Sequence, residues 1–342
     1  MQNIRELTFD ELGKWVKHLG LPAYRQRQIW EWLWKKQAKS FDEMTNLSKD
    51  FRELLGSAFS LPSLIVKEVQ QSEDGTVKSR FITREGFAVE GVLIPTEERK
   101  TACVSSQVGC SLSCSFCATG FLEKKRNLHF DEIYDEVSLI NEQSLKKFGQ
   151  KLTNIVFMGM GEPLLNYQQV LKAIERITAE DGLGMSARRI TVSTAGIAKM
   201  IRKLGDDQVR FKLALSLHAA NDETRSKIMP INDTNNIKAL IDALNYFYKM
   251  TRNEITLEYI LFNNLNDDER HAADLVKVFR QIPADLVNII EYNPIDFADF
   301  RKPDAARTKQ FMDYLESHKV NARLRVSRGK DIDAACGQLA NK

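Results

Sequence analysis

Residues 153–178, TNIVFMGMGEPLLNYQQVLKAIERIT, pass from one structural period to another within a single span. Ile155, Val156, Phe157 and Met158 form a short apolar run, the pattern of a strand buried on both faces, and the glycines of GMGEP punctuate its end. Val170, Ile174 and Ile177 then recur at helical spacing. The same alternation appears at ACVSS, RITVST, FKLALSL, ITLEYIL and VNIIEY, with helical patterns between them such as Ile133, Val137 and Ile140, or Leu240, Leu244 and Phe247. Strands alternating with helices predict a parallel sheet. Strands this apolar need helices on the outside, and closing or partly closing such a sheet gives a partial (β/α)6 barrel, an α/β fold. Active sites of such barrels gather at the C-terminal ends of the strands.

Outward from the barrel the pattern changes. Thr8 with Glu11 and Ser40 with Glu43 have capping-box spacing, each opening a segment of helical periodicity, and predict a helical accessory module over residues 1–60, expected to bind RNA. Trp30 and Trp34, four apart, with Trp32 on the other side, are read as core packing for at least two of the three, the alternative being stacking on RNA bases. SLIVKEV, VKSRFIT and FAVEGVLIP, separated by the turn signals EDGT and REG, predict a β-meander over 61–95 that leads into the barrel at 96–300. A C-terminal extension over 301–342 contains the helical PDAARTKQFMDYLESH and the strand-like NARLRVS.

The apolar stretches are too short to span a bilayer, and the N-terminus, with acids among its apolar residues, carries no evident secretory signal. Five cysteines, an odd number with three of them clustered, argue against a disulfide framework and for a reducing cytoplasm. The net charge of +3 is mild for a nucleic-acid binder, so charge alone would not reveal RNA as a partner. Local clusters are more suggestive: Arg25, Arg27, Lys35 and Lys36 around the tryptophans, Lys124 to Arg126, and Arg323, Arg325, Arg328 and Lys330. Each is equally readable as a solvated face.

The chemistry-bearing residues begin with GCSLSCSFCATG, where Cys110, Cys114 and Cys117 are spaced C-x3-C-x2-C. Three such thiolates suit three irons of a [4Fe-4S] cluster and leave the fourth iron open to a non-protein ligand. A zinc site would need a fourth ligand, and the candidates, Cys103 and His129, lack paired spacing. In GMGEP, Gly161 permits close backbone approach to a ligand and Glu162 is suited to accept hydrogen bonds from an ammonium; the alternative is an ordinary βα turn. Ser193, the run Ser216, Leu217 and His218, and Asn293 end later strands in the same manner, although each alone is more often a cap or a loop polar.

CVSSQVGC-x3-C-x2-C, VFMGMGEPLLN, SLHAANDETR and GKDIDAACGQLA, in this order, resemble the radical S-adenosylmethionine (SAM) enzymes that methylate adenosine C2 in 23S ribosomal RNA and transfer RNA. The resemblance implies a [4Fe-4S] cluster on Cys110, Cys114 and Cys117, with SAM on the free iron and contacts to it from Gly161, Glu162, Ser193, Ser216, Leu217, His218 and Asn293. It further implies that Cys336 becomes an S-methylcysteine, that Cys103 pairs with Cys336 in a transient disulfide, and that Glu90 accepts the C2 proton. Two SAM molecules per turnover, an electron donor such as flavodoxin or ferredoxin, and a monomeric protein belong to the same expectation. From the residues alone, Cys336 reads as a small hydrophobe and Glu90 as a surface residue on a half-buried strand. Methylation requires a Cys336 thiolate, so its pKa is expected to be lowered by Arg328, Lys330 or the bound sulfonium. The rivals are a related adenosine C8 methyltransferase and, in another class, a zinc-stabilised RNA-binding protein without catalysis.

Overall fold

A computed structural model describes residues 1–341; the last residue of the C-terminal extension, Lys342, lies outside them. The N-terminal module holds helices α1 (Phe9–His18), α2 (Tyr24–Trp34) and α3 (Lys49–Ala58). Thr8 and Glu11 form the expected capping box. Ser40 and Glu43 do not start an α-helix: they open a single 3-10 turn, Phe41–Glu43, and the helix begins only after Ser48. Met44 explains the difference, because it leaves helical backbone to bury its side chain completely, and that core contact outweighs the local signal. Trp30 and Trp34 are in the core, while the Trp32 indole donates to Asn46 Oδ1 at 2.6 Å.

One sheet organises the rest. Its strands are β1 (Ile65–Gln71), β2 (Val77–Ile82), β3 (Ala88–Pro95), β4 (Lys100–Cys103), β5 (Asn154–Phe157), β6 (Ile190–Thr194), β7 (Lys212–Ser216), β8 (Ile255–Leu261), β9 (Leu286–Glu291) and β10 (Ala322–Arg325). They neighbour one another in chain order. From β1 to β4 the pairings are antiparallel and from β4 to β10 parallel, so the meander is continuous with the barrel sheet. The six expected strand runs are β4 to β9, and NARLRVS adds a seventh parallel strand. The sheet stays open, as the partial barrel required.

Helices α4 (Phe130–Phe148), α5 (Tyr167–Thr178), α6 (Ala198–Asp206), α7 (Asp222–Ile228), α8 (Ile237–Thr251), α9 (Glu269–Arg280) and α10 (Ala305–Ser317) connect and cover it. Their predicted apolar positions, including Ile133, Val137, Ile140, Val170, Ile174, Ile177, Leu240, Leu244 and Phe247, are all buried. Helix α4 also anchors the N-terminal module. Trp34 packs on Phe130 and Tyr134, with ring centroids 5.9 and 5.2 Å away, and Arg5 pairs with Asp135 at 2.6 Å in a nearly dry contact. Among the described residues no helix is long and apolar enough to cross a membrane.

Candidate active site

The loop after β4 carries the three clustered cysteines. A short antiparallel pair, Gln107–Val108 with Arg126–Asn127, closes its base. Gly120 makes the turn possible: a Cβ there would stand 2.7 Å from Cys114 O. Cys110, Cys114 and Cys117 line one cavity over the C-terminal ends of β5 to β9, enclosing about 940 Å³ that is partly open to solvent. Burial pushes all three thiols up from their ordinary range, and at Cys114 the neighbouring Cys117 and Cys110 add to the effect. Such a crowded, buried trio suits a cationic group that takes up the thiolates, and an iron-sulfur cluster is one. Neither zinc candidate lines the cavity; Cys103 belongs to β4, and His129 is an exposed residue at the start of α4. Among the described residues, no three His, Cys, Asp or Glu side chains are grouped as a single metal ion would need.

The strand ends supply the rest of the wall. Gly161 has φ +90°, and a Cβ on it would meet Gln107 Cβ at 2.4 Å, so this glycine serves close packing within the protein. Glu162 is buried and accepts from Ala195 N at 2.7 Å and Leu164 N at 3.0 Å, which fixes its carboxylate at the cavity wall. Desolvation nevertheless raises its pKa. Ser193 and Ser216 face each other with their hydroxyls 3.3 Å apart. His218, at φ +56°, accepts through Nδ1 from Ile260 N at 3.2 Å and sits edge-on to Phe116; burial, helped by Arg225, draws its pKa down to about 3, leaving a neutral ring. Leu217 and Asn293 do not line this cavity. The Leu217 side chain is in the core, whereas Asn293 Nδ2 donates to Cys336 O at 3.2 Å and Ser327 Oγ at 3.0 Å.

Arg225, unassigned by sequence, is completely buried behind this wall. Its guanidinium donates to Leu217 O at 3.0 Å, Asn232 Oδ1 at 2.9 Å, Ala195 O at 2.6 Å and Ser216 O at 3.2 Å. It thus ties together the loops after β6 and β7. Its place at the end of SLHAANDETR was the available signal, masked by a charged sequence that reads as an exposed helix.

Cys336 lies at the cavity edge with the cluster cysteines. Its loop is strapped on two sides, Ala118 N donating to Gly337 O at 2.7 Å and Gln338 Nε2 to Pro294 O at 3.0 Å. The expected lowering of its pKa is not what the surroundings favour. Although the residue is exposed, desolvation of its thiol raises the pKa, and the opposing cation is Arg325. Lys330 is engaged by Glu291, and Arg328 reaches Asp74 O, which is why neither serves Cys336. Arg325 itself pairs with buried Glu258 at 3.8 Å, and both line the cavity. The acid inside the apolar run ITLEYIL was the sequence clue to that pair. Cys103 is buried outside the cavity, its thiol pushed up to about 12 by desolvation with a further contribution from Cys336. All five cysteines are free thiols here.

Glu90 is not a surface residue: it is fully buried, because α4 packs against β3 and the C-terminal tail covers its carboxylate. Ala340 N and Asn341 N both donate to Glu90 Oε2 at 3.0 Å. Lys78, also buried, lies 3.5 Å from Glu90 Oε1 and 3.5 Å from Asp333 O, linking Glu90 to the segment that leads into Cys336. Glu90 does not line the cavity in this arrangement.

Residues 104–276 match the Radical SAM superfamily model, and residues 2–61 match the model described as "Ribosomal RNA large subunit methyltransferase N-terminal domain". A relative from Cytophaga hutchinsonii, named "Probable dual-specificity RNA methyltransferase RlmN", is 53% identical over 99% of this chain and 93% of its own length. A Christiangramia forsetii relative of the same name is 50% identical over 100% of this chain and 97% of its own. The crystal structure of a radical SAM methyltransferase from Sphaerobacter thermophilus superimposes with a TM-score of 0.94 at 38% identity, covering 100% of both chains. The motifs, the open parallel sheet and these full-length likenesses agree: the chain belongs to the RlmN family of dual-specificity RNA methyltransferases within the radical SAM superfamily.

Proposed function

We propose that the chain methylates C2 of adenosine in 23S ribosomal RNA and in transfer RNA through a methyl group carried on Cys336. The supporting observation is that Cys336 shares one cavity with Cys110, Cys114 and Cys117. Those three thiolates would hold the [4Fe-4S] cluster, and Gly161, Glu162, Ser193, Ser216, Leu217, His218 and Asn293 would hold SAM. When bound there, the cluster and SAM would supply an electron and a hydrogen-abstracting radical. Adenine C2 is an electron-poor C–H carbon that cannot attack a methyl sulfonium as an amine would, which makes a radical route necessary.

The chain's own residues position the reaction. Cys336 sulfur accepts the methyl from a first SAM, with Arg325 as the nearby cation that favours its thiolate. The S-methyl group on Cys336 would then give up one hydrogen atom to the radical derived from a second SAM. Glu90 would take the C2 proton as the adduct gives up one electron to the bound cluster, and the Cys103 thiolate would then attack Cys336 sulfur, forming the S–S bond as the C–S bond breaks and the freed carbon gains a proton; the electron donor restores both thiols. Apolar walls at Phe157, Met158, Met229, Ile260 and Ile290 limit water around these steps. Because the tail amides occupy Glu90 Oε2, the tail bearing Cys336 shifts before Glu90 meets a base. The base itself must leave its stack, which favours loops and single strands.

Anaerobic turnover with a flavodoxin- or ferredoxin-type reductant, SAM and an RNA loop, followed by nucleoside analysis, tests the proposal. The expected product is 2-methyladenosine. Product confined to 8-methyladenosine would assign the chain to the C8 reaction, and a colourless zinc protein giving no product would leave only RNA binding.

A further inference from the structure

Phe121 and Phe297 come from distant segments and stack on each other, ring centroids 5.2 Å apart and planes at 24°. Phe121 keeps 48% of its surface exposed and Phe297 50%, and neither belongs to the hydrophobic core. Leaving two large rings in water is unfavourable, and a lone exposed phenylalanine would be unremarkable; a preformed exposed pair one residue from the cavity wall is not. Their location is specific. Gly120, next to Phe121, lines the catalytic cavity, and the two segments bearing the rings are those that strap the Cys336 loop, through Ala118 and Pro294.

We propose that the Phe121–Phe297 pair is a stacking platform for a nucleotide beside the adenosine that enters the cavity, an inference that rests on the RNA-modifying function proposed above. An adenosine drawn out of its stack leaves a neighbouring base without a partner on one face, and an aromatic face at the mouth replaces that contact. The flanking charge is mixed, with Glu123, Asp296 and Asp299 beside Lys124, Lys125, Arg301 and Lys302, so stacking rather than charge carries the contact. Lys125 is engaged by Glu123 and Lys302 by Glu291, but Lys124 and Arg301 enter no ion pair among the described residues. A stacking contact of this kind is indifferent to base identity, so the platform would serve two RNAs of different sequence.

The test measures RNA affinity of the full-length, cluster-loaded protein with SAM under anaerobic conditions, using a stem-loop whose loop contains the target adenosine. For Phe121→Ala/Phe297→Ala the Kd should rise about tenfold, within the range expected when one base loses its aromatic partner. Phe121→Tyr/Phe297→Tyr should bind as the parent does, whereas Phe121→Leu/Phe297→Leu, which keeps apolar bulk without rings, should remain weak. Iron content identifies any variant whose cluster loop has failed, and in that case the Tyr and Leu pairs decide. Unchanged affinity in the alanine variant, or equal recovery by Leu and Tyr, overturns the platform. So does sedimentation showing a dimer of the parent that the alanine variant lacks, because the pair would then cover a second copy of the chain. A parent protein that methylates no RNA would instead sink the proposed function itself.

Discussion

Arg225→Met removes the fork that holds the loops after β6 and β7. It leaves Leu217 O, Asn232 Oδ1, Ala195 O and Ser216 O without their guanidinium donor. At about 1 to 2 kcal/mol for each buried acceptor left unpaired, the gross loss is roughly 4 to 8 kcal/mol. The substitution also relieves the burial of a cation. Desolvation draws the Arg225 pKa from 12.5 to about 10, equivalent to roughly 3 kcal/mol at about 1.4 per unit. A net destabilisation of about 3 kcal/mol follows, within the usual range for breaking a buried charged network. Function should suffer beside stability, since Ala195 N also fixes the Glu162 carboxylate and Ser216 lines the cavity. Equilibrium urea unfolding under anaerobic conditions measures the first effect, and equilibrium dialysis with labelled SAM the second, where a loss of about tenfold or more is expected. Arg225→Lys, charged but without the fork, should fall between. Stability within about 0.5 kcal/mol of the parent together with unchanged SAM affinity would refute the clamp.

Two further substitutions probe the buried polar groups. His218 has its pKa lowered from 6.5 to about 3, chiefly by burial, so the stability due to its neutral ring is present above pH 6.5 and lost as pH falls toward about 3. His218→Asn tolerates the positive φ and can still accept from Ile260 N, so between pH 7.5 and 5.5 the parent should lose about 1.4 kcal/mol more than the variant in urea unfolding; equal slopes would remove the buried neutral histidine. Lys78→Met strands the Glu90 carboxylate in a dry site, so RNA methylation should fall about tenfold or more while mass spectrometry still finds methylated Cys336. Lys78→Arg should restore part of the loss, and a variant that also fails to methylate Cys336 would point to general misfolding.

The sequence was most legible where one side chain's chemistry or one local period decided the outcome. The C-x3-C-x2-C spacing led directly to three thiols around one cavity. ITLEYIL and VNIIEY announced strands because both faces of the sheet are covered. Residues governed by distant contacts were not legible. Glu90 and Lys78 alternate with apolar neighbours as a half-exposed hairpin would, and only α4 on one side and the tail, some 250 positions later, bury them. Ser40 and Glu43 have the spacing of a capping box but make no capping hydrogen bond, and the segment yields to the burial of Met44. Arg325, the last residue of β10, lines the cavity with Cys336, whereas Arg328 and Lys330 lie beyond the strand and are engaged by Asp74 O and Glu291, partners more than 250 and about 40 positions away that no local pattern announces.

On the proposed route the transferred carbon passes through Cys336 and loses a hydrogen there before it reaches adenosine. SAM carrying a fully deuterated methyl group tests it most directly, with mass analysis of both the nucleoside and the 5'-deoxyadenosine from anaerobic turnover. Passage through Cys336 should give product methyl groups that retain two deuterium atoms, with the third recovered in 5'-deoxyadenosine. Product that keeps all three, with none in 5'-deoxyadenosine, would mean direct transfer and contradict the account.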